Sequence, residues 1–161
     1  ARKPIDLKRL HEASVSGLCF ICEFLNSSPG FNHTVLAETE NSVAFLNKYP
    51  TLYGATIVAP RRHIEGVTGG CSEAEYLELQ SFIYRVSEGI RKVLSPERIY
   101  ILSLGSKSAN AHVHWHISPL PPGLPLEEQQ YHALMHEHGV VQISEDEGMN
   151  FVKEVRAVLA N

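Results

Sequence analysis

His112-Val113-His114-Trp115-His116-Ile117 is the stretch on which the reading of this chain turns. Three histidines alternate with three apolar residues at a period of two, the pattern of a half-buried β-strand whose successive side chains point to opposite faces. On that reading Val113, Trp115 and Ile117 enter a core and the three imidazoles line the other face. Residues two apart on a strand are separated by about 6.6 Å along its axis, so the outer pair lies roughly 13 Å apart. A zinc–nitrogen bond is only about 2.0 Å long, so one ion cannot take all three rings of a straight strand. The row must divide its labour.

The flanking sequence supplies elements of both kinds. Val35 lies in a short strand expected over 34–38, and a second is expected over 42–46, parted by a polar turn at Glu40-Asn41. A third strand is expected over 55–59, ended by Pro60. Ser72-x-x-Glu75 has the spacing of a capping box, and Tyr76, Leu79, Phe82, Ile83, Val86, Ile90 and Val93 recur at helical spacing until Ser95-Pro96. A strand is expected over 98–102, and the small-residue loop 103–110 leads into the histidine strand, which Pro119 to Gly123 should stop. Beyond it, a polar helix is expected near 127–138 and a last helix after the cap Ser144-x-x-Glu147, with Phe151, Val152, Val155 and Leu159 on its apolar face. Hairpin-connected strands with one long helix predict an α+β domain on an antiparallel sheet. Residues 1–18 read as a mobile N-terminal extension, 19–120 as the main domain, and 121–161 as a C-terminal helical extension packed on it.

Composition narrows the function classes. With 161 residues, 43% hydrophobic and 20% charged, the chain is expected to form one soluble domain. A net charge of −4 with no Lys/Arg run argues against an extended nucleic-acid partner, and no apolar run reaches membrane-span length. The basic start lacks the apolar core of a secretory signal, and three cysteines is an odd count. Cytoplasmic localisation is the expectation. Cys71 stands alone just before a helix. Cys19-x-x-Cys22 reads either as a redox pair or as half of a tetrahedral zinc site, and no βαβ unit precedes it to favour the redox form. As zinc ligands the two cysteines need partners, and His63, just past a strand end, and His112 are the natural ones. Such an ion would be structural.

His114 has a ring on each side and no cysteine to claim it. A neutral imidazole is a competent nucleophile towards phosphorus, provided its other nitrogen is held protonated against an acceptor such as a backbone carbonyl. His116 can then donate to a phosphate oxygen or to the leaving group. Ser103, Ser106, Lys107, Ser108 and Asn110 offer further donors, and Gly105 lets backbone N–H groups approach. His132 and His136 stand at i, i+4 and could bind a second metal, but that spacing specifies a site weakly and a solvated helix face is the favoured account.

These motifs together resemble the histidine triad (HIT) superfamily of nucleotide hydrolases and transferases. The resemblance spans roughly residues 19–120: Cys19-x-x-Cys22, Phe45-Leu46-Asn47-Lys48-Tyr49-Pro50 with Gly54, Ile57-Val58-Ala59-Pro60-Arg61-Arg62-His63-Ile64, and the histidine row. It implies a five-stranded antiparallel sheet with a long central helix, usually doubled into a homodimer. It implies zinc on Cys19, Cys22, His63 and His112. It implies a nucleophile at His114 that forms a nucleotidyl-histidine intermediate at the α-phosphate, and phosphate contact at His116. Asn47 would contact ribose, as in the dinucleoside polyphosphate hydrolase and phosphorylase branches. Three features depart from the family pattern: Gly54-Ala55 in place of Gly-His, Lys107 to Ala111 in place of a Gln-Ser or Gln-Thr pair, and Ser118-Pro119-Leu120 in place of Pro-Arg. The activity expected is cleavage of a (di)nucleoside polyphosphate or related phosphoramidate. The other classes that fit are a nucleotide-binding regulator with slow turnover and a zinc-stabilised interaction module.

Overall fold

The computed structural model describes all 161 residues. In chain order the elements are β1 (Arg2–Lys3), α1 (Leu7–Ser14), α2 (Phe20–Leu25), β2 (Val35–Glu38), β3 (Ser42–Leu46), β4 (Thr56–Pro60), α3 (Glu73–Leu94), β5 (Arg98–Leu102), β6 (Trp115–Leu120), α4 (Tyr131–Leu134), β7 (Val140–Val141) and α5 (Glu145–Leu159). Strands β2-β3-β4-β6-β5, in that order, form a five-stranded sheet in which every pairing is antiparallel. The α+β expectation and the long central helix hold.

Alternation along the strands sends two sets of side chains to opposite faces. Ala44, Val58 and Ile117 face α3 and α5, packing against Phe82, Ile83, Val86 and Ile90 of α3 and against Phe151, Val152 and Val155 of α5. Gly89 lets these helices approach, because a Cβ there would meet Val155 and Leu159 at 3.1 and 3.0 Å. Both helices begin with the expected capping box, at Ser72/Glu75 and Ser144/Glu147. On the opposite face Val43, Phe45, Ile57 and Ala59 are covered by Ile21 of α2, and Phe20 and Phe24 close the edges of this smaller core. His116 pairs with Ile57 across β4–β6, so it points to this second face. The free edge of β2 is blunted by Arg156, whose Nη2 donates to the Val35 carbonyl at 2.7 Å and Nε to Leu36 at 3.2 Å.

Several expectations change. The histidine strand begins only at Trp115 and runs through Pro119 to Leu120, so His112, Val113 and His114 precede the ladder. Val113 N–H instead bonds the Ile64 carbonyl at 2.7 Å. Pro119 does not stop the strand because β4 pairs only as far as Ile117, which leaves no partner on that side for a missing N–H. As the division of labour along the row requires, the imidazoles are covered: His112 and His114 are 1% and 4% exposed, and His116 is half-buried. The polar helix expected near 127–138 breaks into a 3₁₀ turn (Leu126–Glu128), the four-residue α4 and a second 3₁₀ turn (His136–His138). None of the three has a side-chain cap, and the stretch lacks an apolar stripe to bury. The first residues are tied down as well. Strand β1 pairs with β7, and Arg2 donates to the carbonyls of His132 and Ala133 at 3.3 and 2.8 Å. Helix α1 buries no residue. No helix is long and apolar enough to cross a membrane.

Candidate functional site

The cysteine pair sits at the start of α2, where Cys19 is the N-cap and its sulfur accepts the Cys22 N–H. This geometry turns both thiols toward the chain that leaves β4 and the chain that enters β6. There Cys19 Sγ lies 3.4 Å from His112 Nδ1, and Cys22 Sγ lies 3.4 Å from His63 Nδ1 and 3.6 Å from His112 Nδ1. All four donor atoms fall within 4.8 Å of one another. Tetrahedral bonds of about 2.0–2.3 Å place ligand atoms roughly 3.3–3.8 Å apart, so the donor set fits a tetrahedral ion. The outer atoms agree. His112 Nε2–H donates to the Pro60 carbonyl at 2.8 Å, and His63 Nε2 faces Glu65 Oε1 at 3.3 Å. Each ring is thereby left with Nδ1 as the free lone pair, the tautomer a metal requires.

The charges of these groups fit the same use. Burial holds His112 down at about 4, despite the Pro60 carbonyl, so the ring is neutral. Burial, then the neighbouring Cys19 and Glu23, push the Cys22 thiol up to about 11. A cation among the thiols would reverse that, since it favours the thiolate. These four residues can hold a metal ion.

His114 lies one step further along the chain. Its Nδ1–H donates to the His112 carbonyl at 2.8 Å, and its own carbonyl accepts from Ser103 Oγ at 2.7 Å. The first bond fixes the tautomer and leaves Nε2 as an unshared pair. Burial lowers the pKa of His114, more than its carbonyl partner raises it, so that pair stays free of a proton. His116 follows with ring centroids 5.1 Å away, held at about 4 by burial and then by His114 and His136. A neutral nucleophile beside a neutral N–H donor can perform attack at phosphorus.

The other sequence-predicted residues divide. Asn47 follows β3 directly: its N–H bonds the Ala55 carbonyl, and its Oδ1 accepts the Tyr49 N–H at 2.9 Å. Asn47 and His33 line a cleft of about 580 Å³ that also takes in Tyr49, Tyr53 and Ala55 but none of the triad imidazoles. In the loop before the triad, Ser103 reaches His114. Ser108 N–H bonds Ser106 Oγ, and Gly105, with φ +99°, packs so closely on the Asn110 carbonyl that a Cβ would meet it at 2.6 Å. Gly105, Ser106, Ser108 and Asn110 therefore fold on one another. His132 and His136 have different partners. His132 stacks on His138 at 3.6 Å, whereas His136 Nε2–H donates to the Tyr49 carbonyl at 2.9 Å. Cys71 is a free thiol outside the four-ligand group.

Sequence reasoning missed a ring cluster. Phe20, Phe24, His33 and Phe45 pack together at 4.6–6.5 Å between centroids, and Phe20 meets His114 edge-on at 5.9 Å. Phe20 and Phe24 stand at i, i+4 in the cysteine helix, which is the one local signal of the cluster.

A family profile described as HIT domain matches residues 30–122. A HIT-like protein of Saccharolobus solfataricus is 34% identical over 103 residues, 62% of this chain and 73% of that protein. A HIT-like protein of Mycoplasma genitalium is 22% identical over 112 residues, 68% and 77% of the two chains. Among solved structures, a histidine triad nucleotide-binding protein of Sulfolobus tokodaii superposes with TM-score 0.71 at 24% identity, covering 89% of this chain and 93% of its own. A zinc-bound histidine triad family protein of Mycobacterium smegmatis superposes with TM-score 0.69 at 18% identity, covering 88% and 96%.

Proposed function

The chain belongs to the HIT-domain family, and from that premise we propose that it is a nucleotide hydrolase or nucleotidyl transferase acting at the α-phosphate of a (di)nucleoside polyphosphate or related phosphoramidate. The observation that carries this reading is the His114 Nδ1–H bond to the His112 carbonyl, which leaves Nε2 as a buried, unprotonated pair. In the reaction Nε2 attacks phosphorus, a P–N bond forms, and the electron pair of the cleaved bond leaves with the departing group. Water or another acceptor then takes the nucleotidyl group from His114, restoring the ring. His116 donates to the phosphate oxygens. The loop donors Ser103, Gly105, Ser108 and Asn110 add to this anion site through side-chain or backbone N–H groups. Asn47 meets the ribose hydroxyls, and the half-buried rings of Phe20, Phe24 and His33 offer a face on which a base can stack.

The Cys19, Cys22, His63 and His112 group is proposed as a structural zinc site, and the zinc-bound relative supports that assignment. Zinc there would staple α2, the end of β4 and the entry to β6, directly behind the nucleophile. The assembly proposed is a homodimer. One end of the sheet is the uncovered edge of β5, and beside it Tyr84 and Leu104 are 66% and 61% exposed. Along this edge runs a groove lined by Gln80, Ile83, Tyr84, Ile99 and Ile101. In this reading residues 19–120 carry the chemistry, with 1–18 and 121–161 as extensions packed on it.

The test is His114→Ala with a panel of nucleotide substrates, with and without inorganic phosphate. The expected result is loss of turnover with zinc content and nucleotide binding retained. An acid-labile, base-stable nucleotidyl adduct should be trapped from the unaltered protein only. Turnover by the variant above a small fraction of the original would refute the triad mechanism.

A further inference from the structure

The ladder between β2 and β3 continues past the first residue of β2, because Leu46 N–H bonds the Thr34 carbonyl at 2.9 Å. Val35 is paired with Phe45, so the same register sets Thr34 opposite Leu46 and His33 opposite Asn47. Residues directly opposite on antiparallel strands share a face, with Cβ atoms about 5 Å apart. His33 and Asn47 therefore stand side by side on the face that carries Phe45, and both line the cleft of about 580 Å³. His33 is half-buried among phenyl rings. Its centroid lies 4.6 Å from Phe45, 5.1 Å from Phe24 and 6.0 Å from Phe20, and Phe20 meets His114 at 5.9 Å. One ring thus separates His33 from the proposed nucleophile. A nucleotide with its phosphorus at His114 and its ribose at Asn47 carries its base against this wall of rings. The His33 ring stands at 84° to that of Phe24, so a base cannot lie flat on both. Laid flat on the phenyl ring, it turns its rim toward the imidazole.

We propose that His33 reads the nucleobase, accepting a hydrogen bond from the exocyclic amino group of adenine and so selecting adenine nucleotides. The proposal rests on the nucleotidyl-transfer reading, in which Asn47 meets the ribose. Burial and then the Lys48 ammonium lower the His33 pKa, against a rise from its hydrogen bond to the Leu46 carbonyl. The ring is therefore neutral, and the nitrogen that serves Leu46 carries its one proton. The other nitrogen holds a lone pair and can only accept. A phenyl ring in this place would extend the apolar cluster equally well, and the imidazole adds one acceptor at the cleft. A base with no donor on that rim leaves the lone pair unpaired, which costs the desolvation of a polar atom. A base with a carbonyl there sets two lone pairs against each other.

Calorimetric titration of the full chain compares two probes: AMP, and purine riboside 5′-monophosphate, which is the same nucleotide without the amino group. AMP should bind about 10-fold tighter, the scale of one hydrogen bond whose acceptor otherwise goes unpaired. His33→Phe keeps a ring in the cluster and removes the acceptor, so it should weaken AMP until the two probes bind alike. His33→Gln, whose amide oxygen can accept in place of the ring nitrogen, should keep much of the preference. Equal affinities in the unaltered protein overturn the proposal. A preference that survives His33→Phe overturns it, as does a loss as complete in His33→Gln as in His33→Phe. Equal weakening of both probes makes His33 a packing residue only and overturns it too. Turnover by His114→Ala, measured in parallel, keeps the two ideas apart. If that variant is dead while the unaltered chain binds both probes alike, only the role of His33 falls. If it stays active while the AMP preference holds and vanishes in His33→Phe, the nucleotidyl-histidine reading falls and the role of His33 stands. Binding of neither probe overturns both.

Discussion

Replacing His116 by Gln should flatten the acid side of the stability profile. Burial, reinforced by His114 and His136, holds the His116 pKa at about 4, against 6.5 for an unperturbed ring. Between those values the unfolded chain binds a proton that the folded chain refuses, so unfolding free energy rises with pH at about 1.4 kcal/mol per pH unit. The contribution is complete above pH 6.5 and is lost as pH falls toward 4. The whole drop amounts to about 3 kcal/mol for this ring. Glutamine keeps a donor of similar reach and titrates nowhere in the range. Release of metal from the cysteine–histidine group also destabilises the fold in acid, but it does so in both proteins, and the difference between them isolates His116. Urea titrations of both proteins from pH 7.5 to pH 4.5, fitted with a common m-value, supply the measurement. The variant's curve should converge on the original as pH falls, with the gap changing by about 2–3 kcal/mol over the range. Parallel curves would show that His116 is not held neutral by burial, and its role as a neutral donor beside His114 would go with it.

Three further outcomes are expected. Protein purified without chelator should carry one zinc per chain by elemental analysis, and Cys22→Ser or chelation should lower the unfolding midpoint, on the order of several kcal/mol for a structural site; no stoichiometric metal would contradict the four-ligand site. Ile101→Asp on the uncovered β5 edge should convert a dimer into a monomer by light scattering at micromolar concentration, and a monomer before substitution would refute the proposed assembly. Gly54→Ala should cost more than the roughly 1 kcal/mol of an ordinary strained turn, because Gly54 has φ +81° and its added Cβ would lie 2.7 Å from Leu94 Cδ1; thermal unfolding measures it, and an unchanged midpoint would mean that the turn relaxes freely.

Local rules made much of the architecture readable in advance. A capping box spans four residues and an amphipathic period repeats within seven, so α3 and α5 announced both their starts and their buried faces. Strands β3 and β5 were legible for the same reason, as alternation and β-branched content are properties of a few neighbours. The four metal-type ligands were legible through chemistry, since a cysteine pair needs two more soft or borderline donors and the histidines near strand ends are few. What the sequence could not decide was which local pattern the folded chain would override. The period of two through His112–Ile117 promised a ladder from its first residue, but the chain before Trp115 is drawn to the Ile64 carbonyl and to the cysteine helix. Residues 127–138 carried a helical spacing of histidines that nothing buries, so packing of Ala133 on Leu120 and Leu52 set their path instead. The ring cluster around His33 and the bond from His136 to the Tyr49 carbonyl join segments far apart in the chain. Contacts of that kind depend on how whole elements close upon one another, and no window of sequence contains both partners.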